Sequence, residues 1–327
     1  MSATVDSAIG LVESELRDVK RLLSEYGDLT DPFGRSLKEP PPYIPPGGKL
    51  LRPRLVIISA HLCGYSGDWH IPLGCAVELL HNASLFHDDV IDEATTRRGR
   101  PSVNVSHSNR VAILAGDLLF TRGMEIVCGL GDVRLVREFV HTMQRMVEGE
   151  TIEMSMSSLD DFSYERYIRM IDGKTASLIA LCLKIGAVLS DDGELEAHLE
   201  ELGYVAGRVF QIADDLLDYL YSTEVTGKDR FRDYYEGKPT YPASILYGLC
   251  SDDERVEFER HFGSRVPDEA ANGLLAALVA RSGLKDQVEA KLASELERAF
   301  DLAGRLPRSP YSDLLVELVR SMAFRTK

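Results

Sequence analysis

The sequence predicts an all-α protein, and three observations carry that prediction. Apolar residues recur at three- and four-residue spacing through almost every segment, β-branched runs with strict alternation are missing, and the one long stretch that cannot be helical lies near the N-terminus. The first element, over 4–27, is an amphipathic helix whose core runs from Ala8 to Tyr26. Pro40-Pro41-Pro42-Tyr43-Ile44-Pro45-Pro46-Gly47-Gly48 then forms a stiff entry to a helix over 48–64. The same periodicity predicts helices over 69–93, 108–129, 131–156, 161–190, 194–221, 241–263, 267–304 and 309–325. One helix ahead of the proline stretch is too small for a domain, so residues 1–327 are expected to form a single domain.

The chain carries a formal charge of −15 and a pI near 5.0. Phosphate backbones demand a broad basic surface, which argues against nucleic acid as a partner. An anionic substrate would therefore be held by local cations. The hydrophobic fraction of 44% is enough for a substantial core. Cys63, Cys75, Cys128, Cys182 and Cys250 are widely spaced, without the pairs that mark zinc sites, and their odd number suits a reducing compartment; they read as core thiols. Met1 to Asp6 lacks the basic and apolar regions of a secretory leader, so a cytoplasmic location is expected. No apolar run reaches the roughly 20 residues of a membrane span, and Lys184 interrupts the best stretch, Ile179 to Leu189. Peripheral membrane contact stays open.

Two acidic clusters carry the chemistry. In His87-Asp88-Asp89-Val90-Ile91-Asp92, Asp88 and Asp92 sit one helical turn apart on one face, with Asp89 on the flank. Three carboxylates so close would repel one another, and hard cations such as Mg²⁺ relieve that repulsion while also taking phosphate oxygens and water. A solvated acidic face is the alternative for one cluster alone. Gln211-Ile212-Ala213-Asp214-Asp215-Leu216-Leu217-Asp218 repeats the spacing inside the apolar segment Val209 to Leu220, where bare charges are costly to bury. Two such clusters around a diphosphate would hold several magnesium ions and make it a better leaving group.

Cations follow. Arg97 and Arg98 lie just past Asp92, and guanidinium suits phosphate oxygens, although taken alone they read first as an ordinary basic loop balancing the nearby acids. Lys49 and Arg52 stand three apart at a helix start, whose free N–H groups also favour an anion. Lys174, in Asp172-Gly173-Lys174-Thr175, and Lys228 lie beside glycines, with Lys238 beyond. A nucleotide-binding P-loop is excluded, because Ile168 takes the place of its first glycine in a helical context.

In order, Gly47-Gly48-Lys49-x-x-Arg52-Pro53, His87-Asp88-Asp89-x-x-Asp92, Arg97-Arg98-Gly99, Gly173-Lys174-Thr175, Phe210-Gln211-x-x-Asp214-Asp215-x-x-Asp218 and Gly227-Lys228 closely resemble the motifs of the trans-prenyl diphosphate synthases, over about Gly47 to Pro242. The resemblance implies an antiparallel helical bundle around a central cavity, usually a homodimer. It implies head-to-tail 1′-4 condensation of an allylic diphosphate, geranyl or farnesyl, with isopentenyl diphosphate, releasing pyrophosphate. Asp88, Asp92 and Asp214 would ligate Mg²⁺, three ions per site, with Asp89, Asp215 and Asp218 acting directly or through water. Arg97, Lys174, Lys228 and, more weakly, Lys238 would hold the allylic diphosphate; Lys49, Arg52, His81 and Arg98 would hold isopentenyl diphosphate. The oxygens of Thr175 and Gln211 would neighbour the allylic cation, which needs electrostatic stabilisation and a dry cavity rather than a protein nucleophile. Leu50, where many relatives carry a basic residue, and Tyr241, in place of the usual Leu, depart from the pattern and bear on substrate contacts, not metal ligands.

The helix running back from Asp88 would turn Ser84, Leu80 and Val77 down the cavity, with Ala83 adjacent and Phe120 and Met124 as deeper walls. Small residues at 83 and 84 let a growing chain pass, which resembles the long-chain members; close helix packing is the alternative, and with it a farnesyl or geranylgeranyl product. A His-Asp phosphohydrolase, suggested by His81 and His87-Asp88, leaves the second cluster without a role. A di-iron bundle needs two Glu-x-x-His motifs, and only Glu78-Leu79-Leu80-His81 is found.

Overall fold

The computed structural model describes residues 2–30, 50–97, 99–156, 158–159, 162–220 and 230–324. The proline-rich entry over 40–48 and the expected site residues Lys49, Arg98 and Lys228 lie outside them. In chain order the elements are α1 (Ser2–Tyr26), α2 (Leu51–Leu62), α3 (His70–Ile91), β1 (Thr96–Arg97), β2 (Arg100–Pro101), α4 (Val103–Ser106), α5 (Asn109–Gly129), α6 (Val133–Met154), α7 (Tyr164–Ile171), a π-helical turn (Asp172–Ala176), α8 (Ser177–Leu189), α9 (Gly193–Leu220), α10 (Arg232–Tyr235), α11 (Tyr241–Gly248), α12 (Asp252–His261), α13 (Glu269–Ser282), α14 (Leu284–Ala303) and α15 (Pro310–Ala323). The protein is all-α; among the described residues the strands are confined to the β1–β2 pair.

Three predicted helices are broken. The one over 161–190 is interrupted by the π turn, where an extra residue enters each hydrogen-bonded ring. The one over 241–263 divides because Ser251 caps a new helix, its side chain accepting from the Glu254 N–H while Glu254 returns to the Ser251 N–H. The one over 267–304 divides at Gly283, whose φ of +59° ends α13. The hairpin β1–β2 and the short α4 and α10 were not predicted.

The chain forms two compact units. The first comprises residues 1–143, 178–203 and 302–317. There α1 buries Ala8, Val12, Leu16, Val19 and Leu23, one stripe at helical spacing, and α3 packs against α1, α2 and α5. Lys184, the charge that interrupts the most apolar stretch, is buried on α8 and pairs with Glu138 at 2.8 Å, Glu200 at 3.2 Å and Glu196 at 3.5 Å. The second unit comprises 144–177, 204–301 and 318–327. Its core includes an aromatic cluster in which the Tyr234 ring meets Phe258 edge-on at 4.8 Å and Phe262 at 5.7 Å. The cysteines are free thiols, but only Cys75 and Cys182 belong to the core; Cys128, on the last turn of α5, is exposed, and Cys63 and Cys250 are half-buried. No described helix is long and apolar enough to cross a membrane.

Candidate active site

The first aspartate cluster closes α3. Its helix ends at Ile91 and Asp92 is the C-cap, with the Asp92 N–H donating to the Asp88 carbonyl at 2.7 Å, so Asp88 and Asp92 are one turn apart and both half-buried. This is the negative end of the helix, where unsatisfied carbonyls make added carboxylates unfavourable without a cation. Asp89 behaves differently. It is 3% exposed and is engaged by Arg97, which donates to Oδ1 through Nε at 2.9 Å and through a terminal nitrogen. Arg97 is aimed by the hairpin, in which it pairs with Arg100 and Gly99 supplies a φ of +74°. Asn104 fastens the hairpin's far side to the helix end by donating to the carbonyls of Asp89 and Ala94, each at 3.0 Å. Arg97, expected on phosphate, and Asp89, expected on metal, are thus partners of each other here.

Arg52 is the second residue of α2 and His81 lies on α3; both are half-buried. Behind Asp88 on α3, Ala83, Leu80 and Val77 are buried, whereas Ser84 is half-buried with its hydroxyl donating to the His81 carbonyl at 2.9 Å.

The second cluster lies in the last two turns of α9. Asp214 and Asp218 are half-buried, and Asp215, at 4% exposure, is enclosed. The Tyr167 hydroxyl donates to Asp215 Oδ2 at 2.6 Å, Gln211 Nε2 donates to Oδ1 at 2.8 Å, and Thr175 Oγ1 donates to Gln211 Oε1 at 2.8 Å. Burial, with the carboxylates of Asp233 and Asp214 nearby, pushes the Asp215 carboxyl well above the usual range, against the two hydrogen bonds that favour its charge. An enclosed carboxylate among other carboxylates is a place for a cation. Asp218 accepts the backbone N–H groups of Arg232 at 3.2 Å and Asp233 at 3.1 Å, which ties α10 to the cluster.

Thr175 and Gln211, each expected beside the allylic cation, are hydrogen-bonded to one another. Lys174 sits on the π turn between Glu150, at 2.7 Å, and Glu153 of α6. Lys238 pairs with Glu236 at 2.8 Å. The turn itself is braced from α9 by Arg208, whose Nε and terminal nitrogen reach the two Asp172 oxygens at 2.6 and 2.7 Å. The sequence reading missed Tyr167, Asn104, Arg208 and the two glutamates beside Lys174. Only the Glu150-x-x-Glu153 spacing, one helical face, offered a signal; Tyr167 is 48 residues from its partner.

All the donors in both clusters are oxygen, which fits a hard divalent ion such as Mg²⁺ and not a softer one. Oxygen-only clusters repeated at the C-terminal ends of two helices of an all-α protein define a class: a helical protein with carboxylate sites suited to hard divalent cations. The polyprenyl synthetase family model matches residues 35–277. Over 275 residues the chain is 32% identical to an all-trans-nonaprenyl-diphosphate synthase of Rhodobacter capsulatus, covering 84% of each chain. Over 262 residues it is 37% identical to a short chain isoprenyl diphosphate synthase of Methanothermobacter thermautotrophicus, covering 76% of this chain and 81% of the relative. The structure matches that of a Caulobacter crescentus polyprenyl synthase complexed with calcium and isoprenyl diphosphate with a TM-score of 0.88, at 29% identity, over 99% and 98% of the two chains. The chain belongs to the polyprenyl synthetase family. It is an enzyme, a prenyltransferase that builds polyprenyl diphosphates.

Proposed function

We propose that this chain condenses isopentenyl diphosphate head-to-tail with geranyl or farnesyl diphosphate and repeats the step to give a long all-trans polyprenyl diphosphate and pyrophosphate. The observation that carries the reading is the common build of the two clusters: in each, an aspartate pair one turn apart stands at a helix C-terminus beside a buried third carboxylate. Asp88, Asp92 and Asp214 are assigned as direct Mg²⁺ ligands, three ions serving each site, with Asp89, Asp215 and Asp218 acting behind them or through water. Bound Mg²⁺ neutralises the diphosphate and eases its departure. Thr175 and Gln211 present oxygens to the allylic cation, and Tyr167 holds the Asp215 carboxylate in position. Arg97, Lys174, Lys228 and Lys238 hold the allylic diphosphate, and Lys49, Arg52, His81 and Arg98 hold isopentenyl diphosphate. Arg97 and Lys174 would exchange their present carboxylate partners for phosphate oxygens, a switch that charge-assisted geometry permits at small net cost.

Purified protein given Mg²⁺, isopentenyl diphosphate and a geranyl or farnesyl primer should release pyrophosphate and lengthen the primer, as chromatography of the dephosphorylated products would show. Turnover of the allylic diphosphate alone, with no dependence on isopentenyl diphosphate, would overturn the reading.

The length of the product is assigned to the α3 face. Ala83→Phe is expected to shorten the product by filling the space behind Asp88, and the same length distribution in a folded variant would refute the assignment. Ala83 is buried, so a melting curve must accompany the assay; overpacking there costs about 1–3 kcal/mol.

We further assign the active form as a cytoplasmic homodimer in which residues 1–327 act as one domain. The support is the free thiols, the family match running through residues of both units, and the exposed apolar side chains Ile113, Leu114, Val133 and Val140 on α5 and α6. Light scattering should give twice the 36.3 kDa chain mass; a monomer that retains full activity would count against it.

A further inference from the structure

Far from Asp88, the first unit gathers a second set of ligand-type side chains that the prenyl-transfer chemistry does not use. Glu15 projects from α1, His61 from the last turn of α2 and His70 from the first residue of α3. Their ligand atoms lie within 4.8 Å of one another. Glu15 Oε2 is 2.8 Å from His61 Nε2, and Glu15 Oε1 is 3.2 Å from His70 Nε2. Ligands of a tetrahedral ion bound at 2.0–2.1 Å stand roughly 3.3 Å apart, so small side-chain rotations bring these atoms to metal-binding separations.

His70 makes the case stronger than proximity alone. Its side chain is 3% exposed, yet Nδ1 has no partner and Nε2 has only the carboxylate of Glu15 beside it. The 3.2 Å approach to Glu15 is charge proximity without the alignment of a hydrogen bond. Enclosing an imidazole with its nitrogens poorly satisfied is costly, and a metal bond at Nε2 supplies one of the two missing interactions. Aromatic rings wall the cluster: Tyr311 stacks on His61 at a centroid distance of 4.9 Å, and Tyr65 meets His70 edge-on at 6.0 Å.

We propose that Glu15, His61 and His70 form a structural site for a zinc-class transition-metal ion, which clamps α1 onto α2 and α3. Two imidazoles and one carboxylate match zinc and cobalt(II) and are a poor set for Mg²⁺, which takes oxygen ligands. The site is separate from the first aspartate cluster: Asp88 lies 18 residues further along α3, about 27 Å at the helical rise. The clamp gives the amphipathic α1 a polar anchor in addition to its apolar stripe, and its loss would loosen α1 without touching the aspartates.

The test uses the full chain, stripped with a strong chelator and titrated with Co²⁺ in excess Mg²⁺, which saturates the oxygen-only clusters. One Co²⁺ per chain is expected, with the visible ligand-field absorption of a nitrogen-bearing site, displaced by Zn²⁺ and accompanied by a higher melting temperature. His70→Gln and, separately, Glu15→Gln should each weaken Co²⁺ binding at least about 100-fold, beyond what loss of an outer partner does, while prenyl-transfer activity stays within about twofold. Glu15→Gln, on α1, keeps the test open should His70→Gln fail to fold. No Co²⁺ bound under these conditions would overturn the proposal and leave a buried Glu–His pairing in its place. Equal binding by wild type and either folded variant would overturn it too, placing the ion elsewhere.

Discussion

Asp88→Asn and Asp214→Asn are each expected to lower turnover about 10³-fold, roughly 4 kcal/mol of transition-state stabilisation. The amide keeps the shape and one acceptor oxygen of each side chain but removes the charge that draws a divalent ion. Neither change should harm the fold. Both aspartates are half-buried in the terminal turns of α3 and α9, where a negative charge opposes the helix dipole, so melting temperatures should stay level or rise slightly. Kinetics against Mg²⁺ concentration separate the metal role from general damage: the variants should need far more Mg²⁺ for half-maximal rate. Turnover within about tenfold of wild type at saturating Mg²⁺ would remove these two aspartates from the metal site.

Gly149→Ala and Gly173→Ala are expected to destabilise the second unit by about 3 kcal/mol each, the upper range for overpacking, and to impair catalysis with it. A Cβ added at Gly149 would lie 2.2 Å from the Lys174 nitrogen and 2.7 Å from the Gly173 carbonyl carbon. One added at Gly173 would lie 2.6 Å from the Arg145 carbonyl oxygen and 2.7 Å from the Gly149 Cα. Every one of these contacts is backbone, so no rotamer change relieves it. α6 and the π turn must move apart, which shifts Lys174 and Thr175 out of register with Gln211. Calorimetry should show a fall of roughly 5–10 °C, and the remaining folded enzyme should have a raised KM for the allylic diphosphate. A variant melting within about 1 °C of wild type would show that the two backbones are not held this closely.

Burial sets one aspartate of each cluster apart. Asp89 and Asp215 occupy the same place in their motifs as metal-directed carboxylates, but each is buried and committed to a protein partner, Arg97 in one case and Tyr167 with Gln211 in the other. Motif spacing treats the three aspartates of a cluster alike; burial distinguishes them. The break at Ser251 was legible in principle, because Ser251-Asp252-Asp253-Glu254 is a capping-box sequence whose pull outweighs the apolar periodicity on either side. The π turn was not, since Asp172-Gly173-Lys174-Thr175-Ala176 has ordinary helical character and is set by the approach of α6 and the Arg208 brace.

Helix class and the two i, i+1, i+4 aspartate sets were determined by the sequence alone, because turn spacing and apolar period are properties of a short length of chain. The tertiary structure alone decided which aspartates are enclosed, which carboxylates hold Arg97 and Lys174, and that Glu15 meets His61 and His70. Apart from Asp89–Arg97, eight residues apart, those contacts join residues distant in the chain and depend on how closely the helices cross, a distance set by glycines and buried side chains acting together.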